Sequence, residues 1–353
     1  MNINTNYPKK LVIGITGLNA IDSPGPGVAV IRSIRDCKDF EVRIIGLSYE
    51  ALEPGLYMHD LVDKTYQIPY PTAGTDSLLG RLNYIHEIEK LDLIIPNFDA
   101  ELFNFIKLGD KLKAMGIRTF LPDLNQLETR EKIKLYDFGK KHDFFVPKDK
   151  IIHEVRELKK IENDFEYPIV VKGKFYDAVI ANSNEQAEKA FYKIQAKWGL
   201  PIIVQEFIKG TEINIAALGD GEGNAISIIP MRKLYITDKG KAWAGVTLDD
   251  EEFIELARKF IKVTKWRGGC ELEVMQTADG KPYIMEVNPR FPAWIYLTAG
   301  AGQNQPGTLV KMAMGEKVEP FTEYEVGKVF IRYAWDLITD ISEFQIISGR
   351  GEL

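Results

Sequence analysis

Three carboxylates and an amide crowd one short stretch of this chain. In CELEVMQTADGKPYIMEVNPR (270–290) two apolar runs flank Asp279-Gly280, the signal of a two-residue type I′ hairpin. In that register Glu273 faces Glu286 and Glu271 faces Asn288. The period of two puts all four on one face and Leu272, Val274, Met285 and Val287 on the other. Like charges directly opposed across a sheet repel, so the patch calls for a compensating cation. An all-oxygen donor set of Glu273, Glu286 and Asn288 suits Mg²⁺ or Mn²⁺. Zinc would want His or Cys ligands, which this patch does not supply. For any glutamate pair taken alone, a solvated face paired by lysines is the competing account. The register, with Asn288 and Arg290 at the strand end, weighs against it.

Elements of two textures must hold this hairpin. From Leu11 to about Leu121, the runs LVIGIT (11–16), EVRIIGL (41–47), DLIIP (92–96) and IRTFL (117–121) read as short strands. Helical stretches separate them, the clearest carrying Leu102, Phe105, Ile106, Leu112 and Met115 near one face and ending at Gly116. Alternation of this kind implies a doubly wound parallel sheet. Residues 128–198 read helix, strand, helix, with a capping box from Ser183 to Gln186 opening the last helix. IIVQEF (202–207), EINIAALG (212–219) and AISIIPM (225–231) then read as strands of antiparallel hairpins, joined at Lys209-Gly210 and GDGEG. The fold class is therefore α/β followed by α+β.

Composition narrows the function. The chain has 353 residues, 45% hydrophobic and 27% charged, with a formal net charge of −6. This is globular, and it lacks the basic footprint of a nucleic-acid binder. Two cysteines, Cys37 and Cys270, cannot build a disulfide framework. With no apolar run approaching a membrane span, the reading is a cytoplasmic protein with reduced thiols and no membrane partner. His59, His86, His142 and His153 sit in unrelated segments and support no nucleophilic triad. Cys270 reads as a small core residue.

These residues in this order resemble the ATP-grasp superfamily. MEVNPRF, preceded across a hairpin by a glutamate, is similar to the metal-binding end of such enzymes. Glu131-Lys132 resembles the pair that opens their central domain, and YPIVVKGK (167–174) the strand whose lysine, here Lys172, holds phosphates. VQEFIKGTE (204–212) resembles the adenine hinge and the ribose-binding glutamate. The resemblance implies a pre-ATP-grasp doubly wound sheet over 1–125, a central subdomain over 126–200 and a C-terminal subdomain over 201–353 with antiparallel sheets and the metal-binding hairpin. It further implies that ATP is bound by Lys132, Lys172, Gln205, Glu206, Phe207, Ile208 and Glu212, with Mg²⁺ (or Mn²⁺) on Glu273, Glu286 and Asn288. Arg290, Arg232 and Lys233 become candidates for the acyl phosphate or the incoming carboxylate. Each lysine taken alone would read as a surface residue; the ordered set is what reverses that.

The implied activity is a carboxylate–amine ligase. It would phosphorylate a small carboxylate and couple it to an amine, an amino acid or a peptide among the candidates, with release of ADP and phosphate. Bicarbonate-activating carboxylases, carbamoyl-phosphate-synthase-like enzymes and nucleotide sensors are the alternatives, and a homodimer is a family-level expectation. GLNAIDSPGPG (17–27) follows the first strand, where doubly wound sheets place ligands. Asn19, Asp22 and Ser23 are its candidate substrate contacts, with a structural Pro-Gly turn as the competing account. Trp294, in FPAW (291–294), is either a pocket wall or a core residue. One departure stands out: GKFYDAVIA (173–181) has a single glycine where the family's phosphate-covering loop is glycine-rich, and Tyr176 and Asp177 take the place of small residues.

Overall fold

A computed structural model describes residues 10–20, 23–129, 131–173 and 177–353, without the side chains of Lys132 and Ile133. Chain contacts divide it into two units, and both are assembled from separate stretches of sequence. The first comprises 1–127, 214–271 and 288–353; the second comprises 128–213 and 272–287.

The first unit opens with a parallel sheet of β1 (Leu11–Ile15), β2 (Val42–Ser48), β3 (Lys64–Gln67) and β4 (Leu93–Ile95), in the order β3-β2-β1-β4. Ile13 pairs with both Ile44 and Leu93, which makes β1 central. Such a strand is buried on both sides, and Ile13 and Ile15 are fully covered. The expected strand at 117–121 is reduced to one bridge between Arg118 and Leu93. The expected helix across 102–115 is two helices, Asp99–Lys107 and Gly109–Ala114. β3, whose KTYQ sequence carries no apolar run, was not expected. It is held on one side by β2 and on the other by the chain's last residues, where Thr65 and Leu353 exchange both backbone hydrogen bonds (2.9 and 3.0 Å).

In the second unit, β5 (Asp149–Ile152), β6 (Ile169–Gly173), β7 (Ala178–Ala181) and β8 (Ile202–Glu206) form an antiparallel sheet of order β5-β8-β6-β7. Ile152, Ile169, Val171, Ile202 and Val204 point one way, into a core shared with Ala187, Ala190, Phe191 and Ile194 of the helix Asn184–Trp198. Ser183 caps that helix, its hydroxyl accepting from the Gln186 amide, as the sequence predicts. The reciprocal half differs, because the Gln186 carbonyl oxygen accepts from Asn182.

A six-stranded sheet contains β9 (Thr211–Asp220), β10 (Ala225–Ile236), β11 (Ala242–Thr247), β12 (Arg267–Gln276), β13 (Pro282–Asn288) and β14 (Val329–Ile331). Its order is β13-β12-β9-β10-β11-β14. β8 therefore does not form a hairpin with β9 as expected; the two strands belong to different sheets. Among the described residues, no helix is long and apolar enough to cross a membrane.

The β12–β13 turn corrects a second expectation. Thr277 N–H donates to Lys281 O, and Gly280 N–H donates to Thr277 O, with Gly280 at φ +87°. This is a three-residue loop, a type I turn completed by a left-handed glycine, and it shifts the register at the turn by one residue. Ile284, Val287 and Asn288 are all buried, so the end of β13 is covered on both faces. The Asn288 amide still reaches Glu271, donating to its Oε2 at 3.1 Å.

Candidate active site

In the second unit, Lys172 lies on the face of the sheet opposite the helix-packed core. Asp149, Gln205 and Val170 are aligned across β5, β8 and β6, and Lys172 lies two residues beyond Val170, on the same face. The Lys172 ammonium donates to Gln205 Oε1 at 2.6 Å. Asp149 Oδ2 is buried without a hydrogen-bond partner. Burial and the charge of Asp137 push the Asp149 carboxyl up to about 6, against the pull of Lys172 and Lys140. Gln205, expected at the adenine hinge, thus has its side chain committed to Lys172. Glu206 is exposed, and its amide and carboxylate both bond the backbone of Lys148. Ile208 is buried, Phe207 is partly buried, and Glu212 stands near the start of β9. Lys132 begins the helix Lys132–His142, with its side chain outside the described residues, as are Asp22 and Tyr176. Asp177 takes the left-handed conformation (φ +65°), and its carboxylate accepts from Lys197 and from the Trp198 indole.

In the first unit, a buried carboxylate gathers three of the candidate residues, Asn288, Arg290 and Trp294. Glu271 is only 5% exposed. Its Oε1 accepts from the Asn214 amide (2.8 Å) and the Trp294 indole (2.7 Å); its Oε2 accepts from the Asn288 amide (3.1 Å) and lies 3.6 Å from the Arg290 guanidinium. The sequence reading set Glu271 in an acidic patch that awaits a cation. In the structure it is compensated by protein N–H groups and Arg290. Arg290 also donates to Asp99 at 3.2 Å, and it borders a small pocket with Pro96, Phe120, Pro122 and Pro289. Trp294 is a core residue that turns its indole N–H to this carboxylate.

Arg332, which sequence reasoning missed, is the other cation here. It donates to Ser23 Oγ at 2.5 Å and to Pro24 O. No carboxylate lies within ion-pair distance of it among the described residues. Burial lowers its pKa, while the charge of Glu271 opposes that shift. A guanidinium withdrawn from water is costly to leave without an anionic partner. The available signal was a lone arginine inside the apolar run KVFIRYAW. Ser23 is 8% exposed and Asn19 half-buried. Their loop is shaped by Gly27, where a Cβ would come within 2.2 Å of Thr16 O.

Arg232 and Lys233, adjacent on β10, point to opposite faces. Arg232 pairs with Val246 and is exposed, whereas Lys233 pairs with Gly245 and donates to Gly240 O. Cys270 is fully buried and burial pushes its thiol up, so it is inert as a nucleophile. Among the described residues, no group of three or more His, Cys, Asp or Glu side chains is arranged to hold a metal.

Residues 200–330 match the model of an ATP-grasp family described as ATP-grasp in the biosynthetic pathway with Ter operon. Over 285 residues the chain is 22% identical to the carbamoyl phosphate synthase large chain of Agathobacter rectalis, covering 74% of this chain and 25% of that protein. It thus spans about a quarter of that relative. The biotin carboxylase domain of the Hydrogenobacter thermophilus 2-oxoglutarate carboxylase, solved with MgADP and bicarbonate, is similar in structure. Its TM-score is 0.67 at 19% identity, over 88% of this chain and 70% of that one. An L-amino acid ligase from Bacillus licheniformis gives a TM-score of 0.65 at 17% identity, over 89% and 76%. The chain has the ATP-grasp fold.

Proposed function

We propose that this ATP-grasp chain is an ATP-dependent ligase that activates a small carboxylate as its acyl phosphate and joins it to an amine. The observation that carries the reading is a pair of cations in the first unit: Arg332, with no carboxylate within ion-pair distance among the described residues, and Arg290, divided between Asp99 and Glu271. In the first step a substrate carboxylate oxygen attacks the γ-phosphorus and the bond to ADP breaks. In the second, the amine nitrogen attacks the acyl carbon, phosphate leaves and the nitrogen loses a proton. Neither step needs an enzyme nucleophile, which agrees with the inert Cys270.

Lys172 supplies point charge to the phosphates, and Lys132, Glu206, Phe207, Ile208 and Glu212 complete the nucleotide contacts. Glu273, Glu286 and Asn288 would hold Mg²⁺, which stabilises charge on the transferring phosphoryl group. The donor chemistry fits. The Asn288 amide nitrogen donates to Glu271, and amide and carboxylate oxygens are the hard ligands that Mg²⁺ takes. Arg290 and Arg332 would hold the substrate carboxylate, with Asn19, Asp22 and Ser23 as further candidate contacts.

The test is product analysis with Mg-ATP and pairs of carboxylates and amines. ADP and phosphate, formed only when both substrates are present, support the reading; AMP and pyrophosphate as the only products refute it. The likeness to a biotin carboxylase domain favours a second reading, bicarbonate activation. Bicarbonate-dependent ADP release without an amine would select it.

A further inference from the structure

We propose that Glu271 is a positioning residue, whose carboxylate fixes Asn288 and Arg290 in the orientations that bind metal and substrate. The inference rests on the function proposed above and adds to it a residue with no ligand contact of its own. Glutamate is almost never buried unless paired, and an apolar side chain would fill the same core position at less desolvation cost. What the carboxylate supplies instead is two-sided acceptance. Oε1 is held by Asn214 on β9 and by the core residue Trp294. Oε2 is thereby aimed at the two polar side chains of the sequence Asn288-Pro289-Arg290. One oxygen is tied to the scaffold and the other orients the site.

The consequence for Asn288 follows from the chemistry of an amide. It has one donating and one accepting end, and a carboxylate accepts only from the donating one. Glu271 therefore sets which end of Asn288 is offered as a ligand. Arg290, shared between Glu271 and Asp99, is restrained from both sides. Partners behind a metal ligand act through its orientation, and losing one costs about 10- to 100-fold in metal affinity or activity.

Glu271→Gln separates positioning from scaffolding. Its single carbonyl oxygen can still accept from Asn214 and Trp294, but its NH₂ group confronts the donors of Asn288 and Arg290. The experiment is calorimetric titration of ADP into the full chain over a series of Mg²⁺ concentrations, with a Mg²⁺-free control and thermal melts. The variant is expected to retain wild-type affinity for Mg²⁺-free ADP. Its Mg²⁺ requirement for half-maximal enhancement should rise about 10-fold or more. Introducing Glu271→Gln into an Asn288→Ala background should produce no further rise, since the effect passes through Asn288. If Glu271→Gln does not fold, Asn214→Ala loosens the Oε1 anchor alone and should shift the Mg²⁺ requirement in the same direction. An unchanged Mg²⁺ requirement in a folded variant overturns the proposal while leaving the functional reading standing. Absence of Mg²⁺-dependent binding in the wild type overturns both.

Discussion

Glu53 offers a quantitative test of the first unit's interior. Just after β2 it is 5% exposed; its Oε1 accepts from the amides of Tyr49 (2.7 Å) and Glu50 (3.2 Å), and its Oε2 is buried without a hydrogen-bond partner. Burial pushes its carboxyl up from 4.5 to about 7, the two amide bonds hold it down, and the charges of Glu101 and Glu50 add to the rise. An acid whose pKa is raised by folding destabilises the native state as it ionises. The wild type therefore has its full stability below pH 4.5 and loses it as pH rises through 7. At 1.36 kcal/mol per pKa unit the loss is about 3 kcal/mol. Glu53→Gln removes the ionisation. The buried NH₂ group that replaces Oε2 costs roughly 1–3 kcal/mol, but equally at every pH, so it cancels from the slope. Urea unfolding at several pH values between 5 and 8 should show the variant gaining about 2–3 kcal/mol on the wild type across that range. Tryptophan fluorescence is a suitable probe, because Trp243, Trp266, Trp294 and Trp335 all lie in the first unit and only Trp198 in the second. A gap that stays flat with pH would refute the account of Glu53.

Lys172→Ala should weaken Mg-ATP binding about 10- to 100-fold in a folded protein, the worth of a charge-assisted hydrogen bond of roughly 1.5–3 kcal/mol; calorimetry with unchanged affinity would remove the phosphate role. Glu286→Gln should abolish phosphoryl transfer while the ligand-free melting temperature holds, as expected of a metal ligand and not of a structural residue. A less stable variant that still turns over ATP contradicts the metal role. Gly27→Ala forces a Cβ to within 2.2 Å of a backbone carbonyl and should cost about 1–3 kcal/mol, read as a lower midpoint in thermal melts.

Strands buried on both faces announced themselves, since LVIGIT and EVRIIGL are apolar on both sides of the pleat. KTYQ carries no such pattern. What makes it a strand is two neighbours, one of them the distant tail at 351–353, and no local reading can supply those. IRTFL has the composition of a strand, yet beyond the single Arg118 bridge it finds no continuing partner. The hairpin at 270–290 was legible as a hairpin. Its turn was not, because Asp279-Gly280 fits a two-residue loop and a three-residue loop equally well. In the candidate site, the chemical type of each group was readable and its partners were not. Glu271 was grouped with the acidic face by alternation, but its neutralisation depends on Asn214 and Trp294, which spacing does not connect to it. Arg332 lies 61 residues beyond Glu271, and only the tertiary fold brings their charges within reach of each other.

The way the last residues close on β3 has a consequence for how the chain is made. The ribosome delivers β3 by residue 67, and the segment that covers its open edge, 351–353, arrives 284 residues later. At roughly 5–20 residues per second, the row of unpaired amides and carbonyls along β3 waits on the order of 15–60 s for its cover. The second unit emerges within that interval, so the first is the later of the two to be completed. The nascent chain meets its hazard there, for an open strand edge is a template for pairing with any other extended segment. Chaperone occupancy and misassembly should accordingly concentrate on the early sheet, and the energetic value of the closing contact between Thr65 and Leu353 lies as much in ending that exposure as in the two hydrogen bonds it adds.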